Sequence, residues 1–252
     1  MIKISAVIIT FNEERNIVRC LQSLEGVADE IVVVDSFSAD NTEKLCEPFN
    51  VRFLQHDFEG FMQQKSWAVA QAKFDCILSL DADEQLSDKL KQSILEQKKE
   101  WKADGYSFNR RTKYISKWIR YCGWYPDSKL RLWDRRKGNW SGINLHESVK
   151  MQENARVKQL DGDLLHYSYY SIQQHLDQIN KFSEIAAHEG IIKGKKSSLF
   201  IAVVKSIWKF KRDYFFKLGF LDGYYGFVIC ALSAYAVFIK YLKINELKKA
   251  GK

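Results

Sequence analysis

The sequence predicts an α/β protein built on a mostly parallel sheet with helices on both faces, and three observations carry that expectation. Near-continuous apolar, β-branched runs stand at residues 4–10, 30–35, 51–55 and 76–81. Helical signals follow the first two, Ile17, Cys20, Leu21 and Leu24 making one apolar stripe and Ser38-Ala39-Asp40-Asn41-Thr42 supplying cap-type residues. Strands buried on both faces read as unbroken apolar runs, and strands alternating with helices build parallel sheets. The third observation is where polarity falls. Thr10-Phe11-Asn12-Glu13, Asp35-Ser36-Phe37-Ser38 and Asp81-Ala82-Asp83-Glu84 each sit at the carboxyl end of a strand, which is where open α/β sheets bind their ligands.

The chain has 252 residues, 46% hydrophobic and 14% aromatic, enough for one large core or a catalytic domain with a smaller appendage. No basic segment followed by an apolar stretch and a small-residue cleavage site opens it, so the expected location is the cytosol. Cys20, Cys46, Cys76, Cys122 and Cys230 form no C-x-x-C pair and read as reduced core thiols, not a zinc site. The net charge of +8 is uneven: residues 193–252 hold 13 Lys/Arg against 3 Asp/Glu, a balance of +10, whereas residues 1–192 hold 26 against 28, a balance of −2. A basic tail on a near-neutral body points to an anionic surface met by one end of the molecule, nucleic acid or a membrane leaflet.

Residues 76–84 concentrate the chemistry. In an extended backbone Asp81 and Asp83 share a side while Ala82 leaves space opposite them. Two carboxylates facing one point repel, and a divalent cation such as Mg²⁺ or Mn²⁺ between them removes that cost, with substrate phosphates completing its shell. No G-x-G-x-x-G and no P-loop follows the first strand, so phosphates would be held by metal and side chains. Lys65, ahead of the fourth strand, reads equally as a diphosphate partner and as a solvated helix lysine. Residues 88–102 read as an amphipathic helix with Leu90, Ile94 and Leu95 inward. Between Trp101 and Trp140 lie five of the seven tryptophans, interleaved with Arg110, Arg111, Arg120, Arg131, Arg135 and Arg136. That mixture suits a polar, phosphorylated or carboxylated acceptor such as a sugar and equally suits single-stranded nucleic acid by stacking, so composition does not decide between them, and at least half of the tryptophans are expected simply to pack the sheet. A helix is expected over 171–189, with Leu176, Ile179, Phe182 and Ile185 buried.

Three ordered motifs, Val7-Ile8-Ile9-Thr10-Phe11-Asn12-Glu13-Glu14, Ile31-Val32-Val33-Val34-Asp35-Ser36 and Leu78-Ser79-Leu80-Asp81-Ala82-Asp83-Glu84, resemble those of family 2 inverting glycosyltransferases with the GT-A fold. With the later segments Asp127 to Trp133 and Leu145-His146-Glu147, the chain resembles the lipopolysaccharide-core β-1,4-glucosyltransferases of that family. The resemblance implies a nucleotide-diphosphate sugar, UDP-linked by preference, as co-substrate and a divalent cation as cofactor. It implies that Thr10, Asn12 and Glu13 line the nucleotide site, that Asp35 contacts the base and that Lys65 lies by the diphosphate. It likewise implies that Asp81 and Asp83 serve the metal, that Ala82 counts with the nucleotide-binding set and that His166, late in the domain, supplies a third metal ligand. The second motif departs from the common Asp-Asp-x-Ser, since Ser36 stands where the second acid would. Inverting transfer also needs a carboxylate near the acceptor hydroxyl to take its proton; Glu147 is the expected general base, ahead of Asp161 and Asp163, with His146 orienting it or serving structure.

The resulting domain plan is a GT-A catalytic domain over 1–192, with 1–100 binding nucleotide and 101–170 binding acceptor, followed by a helical tail over 193–252. In that tail Phe200, Val203, Ile207, Phe210 and Tyr214 alternate with Lys205, Lys209 and Arg212 at helical spacing, the pattern of an in-plane amphipathic helix on anionic lipid. The run from Tyr224 to Ile239 carries no charge for 16 residues, short of the ~20 a spanning helix needs. The partners expected are therefore the sugar nucleotide, a glycan or glycolipid acceptor and the anionic cytoplasmic face of the inner membrane, without nucleic acid. The rival readings are a sugar-phosphate nucleotidyltransferase, which would want a glycine-rich loop after the first strand, and a non-catalytic membrane- or nucleic-acid-binding module.

Overall fold

A computed structural model describes residues 1–142 and 147–251. The Leu145-His146 part of the last motif, and with it any role of His146, lies outside the described residues. The chain forms two compact units, Met1–Arg110 with Asp127–Tyr167, and Arg111–Pro126 with Ser168–Lys252. Compactness thus divides the chain at different points from those that charge picks out.

The first unit opens with β1 (Ile4–Thr10), α1 (Ile17–Leu24), β2 (Glu30–Asp35), α2 (Thr42–Cys46), β3 (Arg52–Gln55), α3 (Phe61–Gln71) and β4 (Cys76–Asp81). β5 (Glu84–Leu86), α4 (Asp88–Lys99), β6 (Gly105–Tyr114), β7 (Lys117–Trp118), β8 (Ser128–Asp134), β9 (Gly138–Ser141), β10 (Ser148–Met151) and β11 (Val157–Tyr169) follow, with β7 and the distal ends of β6 and β11 in the second unit. The main sheet runs β3-β2-β1-β4-β8-β6-β11-β5. Its first four strands are parallel, and from β8 onward pairing is antiparallel where the register is given. The change follows from the connections: a parallel neighbour needs a crossover helix, and between β6 and β9 the chain supplies turns instead. Ile4, Ala6, Val7 and Ile8 of β1 are all buried, as are Ile17, Cys20, Leu21 and Leu24 of α1. In α4, Leu90 and Ile94 are buried as expected, and Lys98 joins them by pairing with Asp29 at 2.7 Å. The register places Thr10 level with Asp35, and Ile9 level with Asp81, so three strand ends meet at one edge.

The second unit contains α5 (Ile172–Ile192), α6 (Leu199–Lys211), a π-helical turn (Arg212–Phe216), a 3-10 turn (Gly219–Asp222) and α7 (Gly223–Lys249). On α5 the buried stripe is His175, Ile179, Ser183, Ala187 and Gly190; of the expected Leu176, Ile179, Phe182 and Ile185, Ile179 is buried and the other three are half-buried. Small residues face inward because α7 packs closely there: a Cβ on Gly190 would lie 2.7 Å from Ile244 Cδ1. Gly226 is required for a similar reason, since a Cβ would fall 1.9 Å from the Gly219 carbonyl oxygen. Two acids are buried and fully engaged. Asp213 pairs with Lys209 at 2.5 Å and Arg212 at 2.8 Å, and Asp222 accepts the N–H groups of Arg120 and Tyr121 at 3.1 and 2.8 Å. On α6 only Ala202 is buried, and Phe200, Val203, Val204, Ile207 and Trp208 are exposed. The helical stretch Gly219–Lys249, 31 residues long, is long and apolar enough to cross a membrane by length and composition alone. It exceeds the 16-residue uncharged run because the helix continues through Lys240 and Lys243.

Candidate active site

The rim over β1 and β2 is built from polar side chains that tie two loops together. Asn12 has φ 53°, a left-handed conformation that asparagine tolerates better than most residues. Its N–H donates to Ser38 Oγ at 2.7 Å, and its Oδ1 accepts from Ala39 N–H at 2.8 Å. Asp35 is buried and accepts from the N–H and hydroxyl of Ser38 at 2.7 and 2.5 Å. Glu13 accepts from Asn16 Nδ2 at 2.7 Å, while its own N–H donates to Thr42 Oγ1 at 2.8 Å. Burial, reinforced by the nearby Asp83 carboxylate, pushes the Glu13 carboxyl up to about 7.

Over β4 the site is ionic. Strand geometry ends at Asp81, so the two-residue alternation no longer governs Asp83, and the two acids meet different partners. Lys65, 3% exposed at its side chain, lies 3.0 Å from Asp81 Oδ1 and 3.3 Å from Glu147 Oε1. α3 thereby brings the ammonium to both carboxylates. Arg131 of β8 places one terminal nitrogen 3.1 Å from Asp81 Oδ2 and 3.4 Å from Glu84 Oε1. Burial opposes ionisation of Asp81, but Lys65 and Arg131 outweigh it and hold the carboxyl well below the usual range. Glu84 Oε2 accepts from the Asp81 N–H at 3.0 Å, and Arg110 approaches Glu84 at 3.7 Å while forking onto Asp127 at 2.9 and 3.1 Å. Trp140 of β9 walls the cluster, its ring 4.8 Å from Lys65 Nζ and 5.2 Å from the Arg131 guanidinium carbon.

Asp83 lies instead beside His166 of β11, Oδ2 to Nε2 3.1 Å. Burial disfavours the imidazolium, yet the Asp83 carboxylate prevails and raises the His166 pKa. Among the described residues no three His, Cys, Asp or Glu side chains converge as a complete metal cage. The Asp83–His166 pair nonetheless fits a metal that draws part of its shell from substrate. Bonds of about 2.1 Å at right angles put neighbouring ligand atoms ~3 Å apart, and such cations keep only one or two protein carboxylates.

Thr10, Asp35, Lys65, Asp81, Asp83, Glu147 and His166 all belong to the first unit, and Lys65 is the residue that joins Asp81 to Glu147. Sequence placed Arg131 and Trp140 only within the mixture between Trp101 and Trp140 and Glu84 only within a strand-end cluster, and gave none of them a role of its own. A charged residue inside the apolar strand Leu130-Arg131-Leu132-Trp133 is the one signal that could have marked Arg131. Arg135 and Arg136 instead bond Asp75 and Asp134 near the start of β4, away from the carboxyl ends.

A mixed α/β sheet with acids gathered at the ends of its parallel strands is the architecture of GT-A glycosyltransferases. Residues 5–149 match the family described as glycosyl transferase family 2, and the chain belongs to that family. A Rickettsia typhi protein named glycosyltransferase RT0209 is 32% identical over 98% of this chain and 88% of its own length. LpsC of Rhizobium meliloti, named a lipopolysaccharide core biosynthesis glycosyltransferase, is 28% identical over 96% of this chain and 92% of its own. The crystal structure of Staphylococcus aureus TarS 1-349 in complex with UDP-GlcNAc aligns over 100% of this chain and 93% of that one, with TM-score 0.50 and 16% identity. That likeness supports the fold.

Proposed function

We propose that this glycosyltransferase moves a sugar, with inversion, from a nucleotide-diphosphate donor, UDP-linked by preference, to a lipid-linked or lipopolysaccharide-core acceptor. The observation that carries the reading is Lys65, which bridges Asp81 at a parallel strand end to Glu147. Donor-side and acceptor-side carboxylates are thereby held in one cluster. Thr10, Asn12, Glu13, Asp35 and Ala82 would receive the nucleotide, and Lys65 the diphosphate. Glu147 takes the proton of the acceptor hydroxyl as that oxygen bonds to the anomeric carbon and the bond to the leaving diphosphate breaks. A divalent cation, Mg²⁺ or Mn²⁺, would be held by Asp83 and His166 with Asp81 adjoining, and would supply charge stabilisation to the departing diphosphate. The nucleotide-sugar complex of TarS and the name of LpsC support the donor and acceptor classes, respectively.

Residues 1–192 on this reading do the chemistry, and 193–252 hold the protein at the cytoplasmic face of the inner membrane. The exposed aromatic residues of α6, interleaved with lysines, support that placement, and flotation with anionic liposomes tests it. The central test is calorimetric titration of UDP, GDP and ADP, with Mn²⁺ and with EDTA, into wild type and Asp83→Ala. Metal-dependent binding of one nucleotide, lost in the variant, is the expected result. Binding of none of the three would overturn the proposed donor chemistry.

A further inference from the structure

Among the described residues of the first unit, six side-chain atoms are buried without a hydrogen-bond partner: Thr10 Oγ1, Asp81 Oδ1, Arg131 Nε and its second terminal nitrogen, Trp140 Nε1 and Glu147 Oε2. Lys65 lies 3.0 Å from Asp81 Oδ1 but off the hydrogen-bonding direction, so that oxygen has a neutralising charge without a directed donor. Leaving one such atom unpaired costs about 1–3 kcal/mol, and buried polar groups in folded proteins are almost always satisfied. Their concentration in one place is the observation to be explained. Five contacts link four of their owners through Lys65. Asp81 touches Arg131 at 3.1 Å and Lys65 at 3.0 Å, Lys65 touches Glu147 at 3.3 Å, and both cations stack on Trp140.

The chemistry of the set narrows what fills it. Arg131 is 4% exposed and Trp140 7%, and both offer only N–H donors. Asp81 and Glu147 are carboxylates that, when ionised, only accept. A phosphate would satisfy the donors and be repelled by the acceptors. An apolar group would satisfy neither. A sugar hydroxyl both donates and accepts, and a ring bearing several of them, with an apolar face for the Trp140 wall, satisfies both kinds at once.

We infer that Arg131 and Trp140, with Asp81 and Glu147, form the subsite that recognises the hydroxyls of the donor's sugar ring, so that Arg131 and Trp140 are specificity-determining residues. The inference rests on the proposed donor reading and gives Arg131 and Trp140 a role that the resemblance did not assign to them. Arg131 has a second task, holding Asp81 ionised and turned toward the ring. Trp140 supplies its indole N–H to the sugar and its faces to the two cations.

The test compares Arg131→Lys and Trp140→Phe with wild type in calorimetric titrations of UDP, UDP-glucose, UDP-galactose and UDP-N-acetylglucosamine with Mn²⁺, the folded state being checked by denaturant unfolding. Trp140→Phe removes the N–H and keeps an aromatic wall; Arg131→Lys keeps the charge and removes the fork. The expected result is unchanged UDP binding together with about tenfold or greater weakening of the sugar nucleotide that wild type binds most tightly, the effect of leaving a buried polar group unpaired. Equal weakening of UDP and sugar nucleotide would overturn the inference in favour of a diphosphate or purely structural role. Unchanged binding of both would overturn it outright. Wild type binding no UDP would refute the donor reading itself, a failure readily told apart from these.

Discussion

Both units bury carboxylates, and they treat them in opposite ways. In the second unit, Asp213 and Asp222 are enclosed by partners: two cations on the first, two backbone N–H groups and Lys117 on the second. In the first unit, Asp81 and Glu147 share Lys65 and each keeps an oxygen without a donor. Buried charge with every valence filled fixes conformation; buried charge with valences left over is binding capacity. At these four positions hydrogen-bond satisfaction and burial run together: the side chains of Asp213 and Asp222 are 2% and 3% exposed, those of Asp81 and Glu147 24% and 16%, and on the proposed reading the latter two are the acids that act.

The comparison can be broken most decisively at Asp222. Its replacement by alanine leaves the part-buried N–H groups of Arg120 and Tyr121 without acceptors and should cost about 2–4 kcal/mol in denaturant unfolding; a loss under 1 kcal/mol would mean that satisfaction is no guide here. Asp83→Ala should do the reverse. Unfolding should move by no more than about 1 kcal/mol, the loss of the part-exposed pair with His166, while sugar transfer falls by about 100-fold or more as leaving-group stabilisation is lost. Comparable losses in both measurements would erase the distinction between the units.

Glu13 sharpens the contrast through pH. Its folded-state pKa stands above the ordinary 4.5, near 7, so the folded protein holds a proton that the unfolded chain releases. The stability this group contributes is intact below pH 4.5 and is lost as pH rises through about 7. Denaturant midpoints for wild type should decline across that window more than those of Glu13→Gln, and parallel profiles would rule the assignment out. The smallest effect is expected on the exposed surface of the second unit. Phe216, 71% exposed, should on changing to serine weaken flotation with anionic liposomes by a few-fold, the effect of losing one interfacial aromatic. Flotation should also fall as salt rises, and binding indifferent to both would argue against the membrane role of the tail.

Periodicity served well where burial is uniform. The apolar stripe of α1 and the inner parallel strands β1, β2 and β4 lie where composition places them, because a residue surrounded by core on all sides needs only to be apolar. It served less well on α5, whose inward face is chosen for smallness. Ser183, Ala187 and Gly190 face in so that α7 can approach, a requirement set by the neighbouring helix and invisible in the sequence of α5 itself. Tryptophan spacing likewise could not tell Trp133, which packs the core, from Trp140, which also walls the ionic cluster.

By itself the sequence determined the four strands of the parallel half, the three polar strand ends and the family, because short-range patterns encode strands, turns and the acids that follow them. Only the tertiary structure decided how those acids are used. Asp81 and Asp83, two residues apart, meet Lys65 and Arg131 in one case and His166 in the other, and Glu147 is drawn to Asp81 by a lysine 82 positions distant. Charge pairing depends on distance in space, falling off over a few ångströms. Contacts of that kind between remote segments exist only once the sheet has brought β4, β8, β11 and α3 together.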